Sequence, residues 1–332
     1  MTLELVFDFD GTITQNDSIA SVLDAALSYH KANSSPKAAD SLTDAWHHVV
    51  KSYMTDLDAY HKSFDPATQD SQLTSLETAR VLFSNQPRRQ IEEASQSRVK
   101  EAGLFSGVPL DHLFQSGHEH RDRNTVELRD GFSNFTRLIQ SRSAVEETAN
   151  IQILSVNWSA SYIRGVLSRE GISSVIANET NPADGSINAL PPIDHDGASG
   201  DWPSVLAVGA DKLSALRCVY RQLQAGRPKL PVEIICFGDS TTDLECLLEF
   251  GGIVISPESE IAQRPRPETT NSNNTGFNWS ELLHVLRTRL RHNVPHVSEH
   301  KDELVCWARD FTEIKDSSFL RKRAANMKST KA

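Results

Sequence analysis

Leu3–Thr12 has the sequence LELVFDFDGT, an apolar run that stops at two aspartates and a glycine. A run rich in Val and Phe is typical of a buried β-strand, so we predict a strand over 3–9 and a loop from Asp10 onward. In open α/β sheets, ligands bind outside the carboxyl ends of the strands. The sequence therefore predicts that Asp8 and Asp10 lie where such a ligand would bind.

Two different patterns follow along the chain. Between residues 18 and 125 the apolar residues recur at helical spacing, with no strand pattern among them. From Gly131 onward, short apolar runs alternate with amphipathic segments, as in crossover units on a parallel sheet. The predicted helices cover 132–141, 162–169, 212–224 and 244–249, with another from Trp279; the predicted strands cover 151–156, 174–178, 232–237 and 253–255; a turn or small hairpin covers 182–203 and a polar loop 258–276.

These elements predict an α/β protein whose core is a Rossmann-like, doubly wound parallel sheet, interrupted by an inserted all-helical cap. We expect the core at 1–15 and 126–290 and the cap at 16–125. Residues 291–332 are expected to form a C-terminal extension that ends in a basic, partly disordered tail.

The composition excludes several classes of protein. The chain has 332 residues, and 34 Lys and Arg against 44 Asp and Glu give a net charge of −10, which disfavours binding to nucleic acid or an anionic membrane. No apolar stretch approaches the ~20 residues that span a bilayer. The four cysteines show no CxxC or Cys/His pairing, so neither a disulfide framework nor a structural zinc site is indicated. We expect a cytoplasmic protein with no nucleic-acid or membrane partner; the sequence indicates no oligomeric state.

A second acidic segment, Gly238–Asp243, follows another predicted strand. If Asp239 and Asp243 meet Asp8 and Asp10 at adjacent strand ends, the four carboxylates repel one another unless a cation lies between them. Hard oxygen ligands favour Mg²⁺ as that cation. The alternative is structural, because Asp and Ser at this place also cap the helix that follows.

Two further polar residues lie between the acidic segments: Ser155 at the end of a predicted strand and Lys212 at the start of a predicted helix. Each alone is typical of a structural or solvated position. In this order, however, the set resembles the haloacid dehalogenase (HAD) superfamily, specifically its phosphoserine-phosphatase-like branch. The residues that carry the resemblance are Asp8, Asp10, Thr12, Ser155, Lys212, Asp239 and Asp243, with Asp17 as the acidic residue seven positions after the second Asp. The resemblance covers residues 1–17 and roughly 126–256. The helical insert between them matches only in position and helical character.

The resemblance implies a Mg²⁺-dependent phosphomonoesterase that acts on a small phosphorylated metabolite. Asp8 would attack phosphorus to form an aspartyl-phosphate, and Asp10 would protonate the leaving alcohol and then activate water. The phosphate would be bound by Thr12, Ser155, Val156 and Lys212. The metal would be held by Asp8, the backbone carbonyl of Asp10, Asp239 and Asp243.

The segment around Ser155 departs from the pattern of the branch. Val156 and Asn157 stand where a Gly-Gly is usual, Trp158 follows them, and Thr242 stands where an Asn is usual. These departures argue against phosphoserine as the substrate, and the variant is similar to that of fungal members of the superfamily. Asp17, Asn157 and Trp158 are candidate substrate or cap contacts. The alternatives are a plain helix N-terminal acid for Asp17 and a core position for Trp158.

Three other functions stay open. A phosphomutase or other HAD phosphotransferase would share all of these motifs and would transfer phosphate instead of releasing it. A dehalogenase would use Asp8 without a metal and would give Asp10 no purpose. A non-catalytic regulatory or binding protein on the same fold could dispense with Asp8 or Asp10, and this chain retains both.

Overall fold

A computed structural model describes residues 2–63, 73–143, 148–191, 202–226, 231–256 and 280–323. The strands are β1 (Thr2–Phe7), β2 (Thr148–Leu154), β3 (Ser174–Ile176), β4 (Asn178–Thr180), β5 (Ile187–Ala189), β6 (Val232–Gly238), β7 (Gly252–Ile255) and β8 (Val305–Ala308). The helices are α1 (Ile19–Asn33), α2 (Pro36–Ser63), α3 (Ser75–Phe83), α4 (Gln86–Glu101), α5 (Leu110–Asp122), α6 (Phe132–Ser143), α7 (Ala160–Val166), α8 (Gly209–Gly226), α9 (Leu244–Phe250), α10 (Ser280–His284) and α11 (Phe311–Asp316). Among the described residues, no helix combines the length and apolarity needed to cross a membrane.

Six strands form one sheet in the order β3-β2-β1-β6-β7-β8. The pairs β1–β6, β6–β7 and β7–β8 are parallel, and Phe7 lies opposite Phe237 in the register. β1 lies in the middle and is buried along its whole length, as its nearly continuous apolar sequence requires. The predicted α/β fold with a Rossmann-like parallel sheet is confirmed.

The chain divides into two compact units. The first comprises Met1–Asp17, Leu128–Gln152 and Val219–Ala332, and the second comprises Ser18–Glu127 and Ile153–Cys218. α1–α5 lie in the predicted cap, 16–125, whose described residues include no strand. Residues 153–218 belong to the same compact unit as these helices, whereas the predicted core, 126–290, includes them. The domain boundaries stay a prediction.

The core of the first unit is a cluster of phenylalanines, each at most 1% exposed: Phe7, Phe132, Phe135, Phe237 and Phe311. Phe7 and Phe237, on neighbouring strands, stack with ring centroids 4.2 Å apart. Phe132 and Phe311 meet edge to face at 4.9 Å. Aromatic pairs of this kind each add about 0.5–1.5 kcal/mol beyond the burial of area. The cluster thus fastens α6 and α11 to the sheet.

β8 is a strand that the sequence analysis did not predict. It pairs with β7 from Val305, opposite Gly252, to Ala308, opposite Ile255, and all four of its residues are buried. A strand of four residues among polar neighbours is too short to show a periodic pattern. The described part of 291–332, predicted as an extension, therefore adds a strand to the sheet. The basic tail predicted over Lys315–Ala332 is described only as far as residue 323, and the predicted loop at 258–276 lies outside the described residues.

In the second unit, α5 and α7 pack closely because each presents a glycine to the other's backbone. A Cβ added at Gly117 would lie 2.3 Å from the carbonyl oxygen of Tyr162, and one at Gly165 would lie 2.0 Å from that of Phe114. Carbon–oxygen contacts this short are repulsive, so only glycine fits at either position. This packing explains why the residues after β2 group with the helical segment.

The region predicted as one strand at 174–178 contains two short strands, β3 and β4. β4 pairs with β5 in antiparallel fashion, with Asn178 opposite Ala189. The small hairpin predicted at 182–203 therefore begins earlier, and the described residues of that range are 182–191 and 202–203.

Candidate active site

The loop after β1, residues 8–14, is here called the first loop, and its own hydrogen bonds hold it in a tight turn. Asp8 continues the strand, and its N–H donates to the carbonyl oxygen of Phe237 at 2.9 Å. Gly11 adopts φ +73°, a conformation that favours glycine. The Thr14 hydroxyl oxygen accepts from the Gly11 N–H at 3.1 Å, and the Thr14 N–H donates to the carbonyl of Phe9 at 3.0 Å. The turn fixes the backbone that carries Asp8 at the carboxyl end of β1.

Three buried carboxylates converge beside this loop. One oxygen from each of Asp8, Asp239 and Asp243 lies within 4.8 Å of the other two, and the residues are 6%, 5% and 5% exposed. Carboxylates so close together and so far from water repel one another strongly unless a cation compensates their charge. Their hard oxygen atoms are the ligands that Mg²⁺ prefers. The donor set therefore fits a divalent, oxygen-binding cation.

The loop after β6, residues 238–243, is called the second loop, and it closes onto the Asp243 carboxylate. Oδ2 of Asp243 accepts from the N–H groups of Asp239 and Ser240 at 3.2 and 3.1 Å. Asp243 stands at the N-cap position of α9, yet its side chain makes no capping bond to that helix. The Asp243 side chain therefore does not cap α9, as the structural alternative would require.

Thr12 joins the first loop to the second. Its hydroxyl donates to Oδ1 of Asp239 at 2.6 Å, and both residues are buried. The resemblance in the sequence implies a phosphate-binding role for Thr12. Since its hydroxyl proton is used on Asp239, any phosphate contact by Thr12 would have to come from the backbone N–H.

Asp10 and Asp17 lie outside the carboxylate cluster among the described residues. Asp10 is half-buried in the first loop, and its predicted acid–base role requires a carboxylate beside the cluster, not within it. Asp17 is exposed and directly precedes Ser18, the residue before α1. That position agrees with either prediction for Asp17, a substrate contact or a helix N-terminal acid.

Arg129 is a residue of this site that the sequence analysis missed. Its guanidinium donates to the carbonyl oxygens of Gly11, of Thr12 at 3.0 Å and of Thr14 at 3.3 Å. Its backbone N–H donates to the carbonyl of Ile13 at 2.7 Å. Burial lowers the pKa of the guanidinium, and the negative charge of Asp239 acts in the opposite direction. An arginine still remains charged under any ordinary condition.

Ser155 and Asn157, in the second unit, follow β2 in a short network of hydrogen bonds. The Ser155 N–H donates to the carbonyl of Ile176 at 3.0 Å, and its hydroxyl oxygen accepts from the Asn157 N–H at 3.1 Å. The Asn157 side chain donates to the hydroxyl of Ser18 at 3.1 Å and accepts from the Ser159 N–H at 3.1 Å. Because Asn157 is fully buried and bonded at both ends, it braces the loop, which disfavours its predicted role as a substrate contact.

Glu179 is a second residue that the sequence analysis missed, and it supports the same segment. Its carboxylate, 5% exposed, accepts from the hydroxyl of Ser159 at 2.8 Å and from the N–H and hydroxyl of Ser161, each at 2.7 Å. Ser159 in turn caps α7 by accepting from the Tyr162 N–H at 3.1 Å. A buried carboxylate is stable only with donors of this kind. Glu179 therefore fixes the start of α7 just after Trp158.

Lys212 lies in the first turn of α8 and is 1% exposed. The preceding residue, Asp211, accepts from the N–H groups of Ala207 and Val208, each at 3.0 Å, and forms an ion pair with Arg89 of α4. Lys is almost never buried this completely without polar or charged partners. The position disfavours the solvated role that is typical of a lone lysine.

Val156 and Trp158 are half-buried in the second unit. The Trp158 ring meets those of Trp46 and Phe105 edge to face, with centroids 6.1 and 6.2 Å away. The ring is thus packed on aromatic neighbours without being enclosed, so it is not the fully buried core residue of the alternative prediction. Val156 contributes a carbonyl that accepts from the Asn178 side chain at 3.0 Å.

The sheet, the two loops and the buried acids define the class: an α/β protein of Rossmann-like topology with a carboxylate cluster at its strand ends. Neither a protein-family model nor a curated protein matches the sequence. Similar solved structures include a substrate-bound phosphoserine phosphatase (11% identity, TM-score 0.37, 77% of this chain and 86% of that chain). A HAD family hydrolase from Salmonella enterica serovar Typhi gives 16% identity, TM-score 0.38 and coverages of 76% and 62%. A protein with unknown function from Bordetella pertussis Tohama I gives 14%, 0.38, 77% and 90%.

Proposed function

We propose that this chain is a HAD-type, Mg²⁺-dependent phosphomonoesterase that hydrolyses a small phosphorylated metabolite through an aspartyl-phosphate on Asp8. The observation that carries the proposal is the convergence of Asp8, Asp239 and Asp243 after β1 and β6. A buried acidic cluster at the carboxyl ends of parallel strands has a charge and a location suited to binding a metal and a phosphate.

Asp8 is the proposed nucleophile. Its backbone is fixed by the bond to Phe237, so one carboxylate oxygen can be held in line with phosphorus while the other faces Asp239 and Asp243. Attack forms the bond between the Asp8 oxygen and phosphorus and breaks the bond from phosphorus to the leaving alcohol. Asp10 donates a proton to that alcohol and then takes one from the water that releases the phosphate.

The cation would be held by Asp8, Asp239, Asp243 and the backbone carbonyl of Asp10. When bound, Mg²⁺ supplies positive charge that offsets the negative charge on the phosphoryl oxygens. The protein's own contribution is orientation: Asp239 is held by Thr12, and Asp243 is held by the N–H groups of the second loop. Hard carboxylate ligands in fixed positions favour Mg²⁺ over softer metals.

Ser155 and Lys212 are the proposed phosphate contacts, with Val156 supplying a backbone N–H. The Ser155 hydroxyl oxygen already accepts from Asn157, so its proton can be donated to a phosphate oxygen. The Lys212 ammonium would offset the charge that the transferring phosphoryl group carries, which is the main demand of phosphoryl transfer.

The leaving group is proposed to lie against Trp158, with Asp17 as a further contact. Trp158 stands three residues after Ser155 and is half-exposed. A flat, partly exposed indole gives an apolar surface that phosphoserine would not use, which agrees with the absence of the usual Gly-Gly.

The similarity to fungal members and the cytoplasmic location remain predictions, as does the absence of nucleic-acid and membrane partners.

The test is phosphate release by the purified full-length chain from a panel of phosphomonoesters, with and without Mg²⁺. Asp8→Asn is the test variant, and Asp111→Asn, an exposed acid of α5, is the matched control. We expect Mg²⁺-dependent release in the parent chain and in the control and none in Asp8→Asn. Equal release by all three proteins would refute Asp8 as nucleophile. Transfer to a second sugar hydroxyl without free phosphate would identify a mutase instead.

A further inference from the structure

We propose that Arg129 is a positioning residue: it holds the first loop in the conformation in which Thr12 binds Asp239, and so preorganises the carboxylate cluster for a divalent cation. The part of the inference that concerns the cation rests on the proposed function. The part that concerns the loop does not, because it follows from hydrogen bonds within the first unit.

The chemistry of the guanidinium matches what the first loop needs. The carbonyl oxygens of Gly11, Thr12 and Thr14 all accept from this one group, which is planar and carries five N–H donors in a fixed arrangement. Arg129 is 7% exposed and Thr12 and Thr14 are at most 1% exposed, so bulk water has little access to these carbonyls. A lysine at this position would keep the charge but could not reach the three carbonyls at once.

The effect passes from Arg129 to the cluster through Thr12. The carbonyls of Gly11 and Thr12 belong to the peptide groups on either side of the Thr12 Cα, so fixing both sets the direction of its side chain. That side chain donates to Oδ1 of Asp239 at 2.6 Å. The positive charge of Arg129 also attracts Asp239. Both effects favour the arrangement in which Asp239 faces Asp8 and Asp243 before a cation binds.

Arg129 is itself carried by rigid backbone. Leu128 forms a bridge to Thr14, and the Asp130 carbonyl accepts from the Phe311 N–H at 3.0 Å. Gly131 follows at φ +81°, where a Cβ would lie 2.5 Å from the Thr312 backbone nitrogen. The segment 128–131 therefore joins the first loop to α11 and the aromatic core. An anchored guanidinium can hold a loop, whereas one on a mobile segment could not.

The experiment compares Arg129→Lys with Arg323→Lys in the full-length chain. Arg323 is a matched control because it lies in the same unit, is largely buried, donates to the carbonyl of Phe250 at 3.1 Å and pairs with Glu233 at 2.6 Å. The first measurement is hydrogen exchange at the Gly11 and Thr14 amides without metal. The second is the dissociation constant of Mg²⁺ from its shift of the unfolding temperature. The third is kcat and KM with a substrate from the panel.

In Arg129→Lys we expect at least about tenfold faster exchange at both amides, and a Mg²⁺ dissociation constant raised by about 10–100-fold, the usual cost of losing a residue that orients a metal ligand. At saturating Mg²⁺ we expect a lower kcat with KM nearly unchanged. Arg323→Lys should match the parent chain in all three.

Unchanged exchange in Arg129→Lys would overturn the proposal, and so would faster exchange with unchanged Mg²⁺ affinity. If the parent chain shows no Mg²⁺-dependent shift, the proposed function fails, while the exchange data still decide whether Arg129 holds the loop. If Arg129→Lys does not fold, Thr12→Val takes its place, since it removes the link to Asp239 and leaves Arg129 intact. Mg²⁺ affinity equal to that of the parent chain in Thr12→Val would then overturn the proposal.

Discussion

Gly238→Ala should disrupt the cluster by steric contact alone. A Cβ at Gly238 would lie 2.3 Å from both Cβ and Cγ of Asp243. Non-bonded carbon atoms settle about 3.5–4.0 Å apart, so Asp243 has to retreat by at least about 1.2 Å. Oδ2 of Asp243 would then lose its bonds from the N–H groups of Asp239 and Ser240, now 3.2 and 3.1 Å long. Gly238 does not have a positive φ, so alanine adds no backbone strain that would confuse the result.

Overpacking of this kind costs about 1–3 kcal/mol in the free energy of unfolding. We expect a loss in that range by urea denaturation, together with a Mg²⁺-dependent shift of the unfolding temperature that is abolished or strongly reduced. Gly226→Ala at the end of α8 is the control, since a Cβ there meets no atom within 4 Å. Its Mg²⁺ response should match that of the parent chain, and its stability should not fall, because alanine favours a helix more than glycine does. A Gly238→Ala protein with the parent's stability and Mg²⁺ affinity would refute the placement of Asp243 at the cation.

Three further variants test other parts of the structure. Phe311→Ala should lower the free energy of unfolding by about 3–5 kcal/mol, because the ring is 0% exposed within the aromatic cluster. The control is Leu304→Ala: Leu304 is 40% exposed, so this change should alter the free energy of unfolding by less than about 0.5 kcal/mol. Equal losses in the two variants would contradict the packing of α11. Glu179→Gln should lower the free energy of unfolding by about 1.5–3 kcal/mol, since it replaces a charged acceptor of several hydrogen bonds. A stability equal to that of the parent chain would contradict the role of Glu179 in fixing the start of α7. Burial lowers the pKa of His120 in the folded chain, so as pH falls the unfolded chain binds a proton at this histidine before the folded chain does. Stability that is present above about pH 6.5 is therefore lost as pH falls. In His120→Asn the urea midpoint should depend less on pH between about pH 7.5 and 5.5, and an unchanged pH dependence would exclude His120 as its cause.

The strands that position the site were predictable because their signals are local. β1 and β6 are apolar runs followed at once by acidic residues, and parallel strands place such residues at the same edge of a sheet. Those two facts allow Asp8 to meet Asp239 and Asp243, but they do not make β1 and β6 neighbours, so from the sequence alone the meeting stays conditional. The position of Asp10 was not predictable in the same way, because the sequence does not distinguish a carboxylate inside the cluster from one beside it.

The supporting residues were not predictable because their partners are distant along the chain. Arg129 binds carbonyl groups more than a hundred residues earlier, and nothing in its neighbourhood marks it. Glu179 holds Ser159 and Ser161 only because a short strand brings it to the start of α7. Asn157 stands within a motif, which predicts a substrate contact, whereas its burial is set by the fold and shows only in the folded chain.

The most direct test of the central claim is a crystal structure of the full-length chain with Mg²⁺ and beryllium fluoride, which stands in for the phosphoryl group. We expect beryllium bonded to a carboxylate oxygen of Asp8, and Mg²⁺ about 2.1 Å from the other Asp8 oxygen and from Asp239. Density for the cation away from the three carboxylates, or beryllium fluoride bound elsewhere while Asp8 stays bare, would contradict the account.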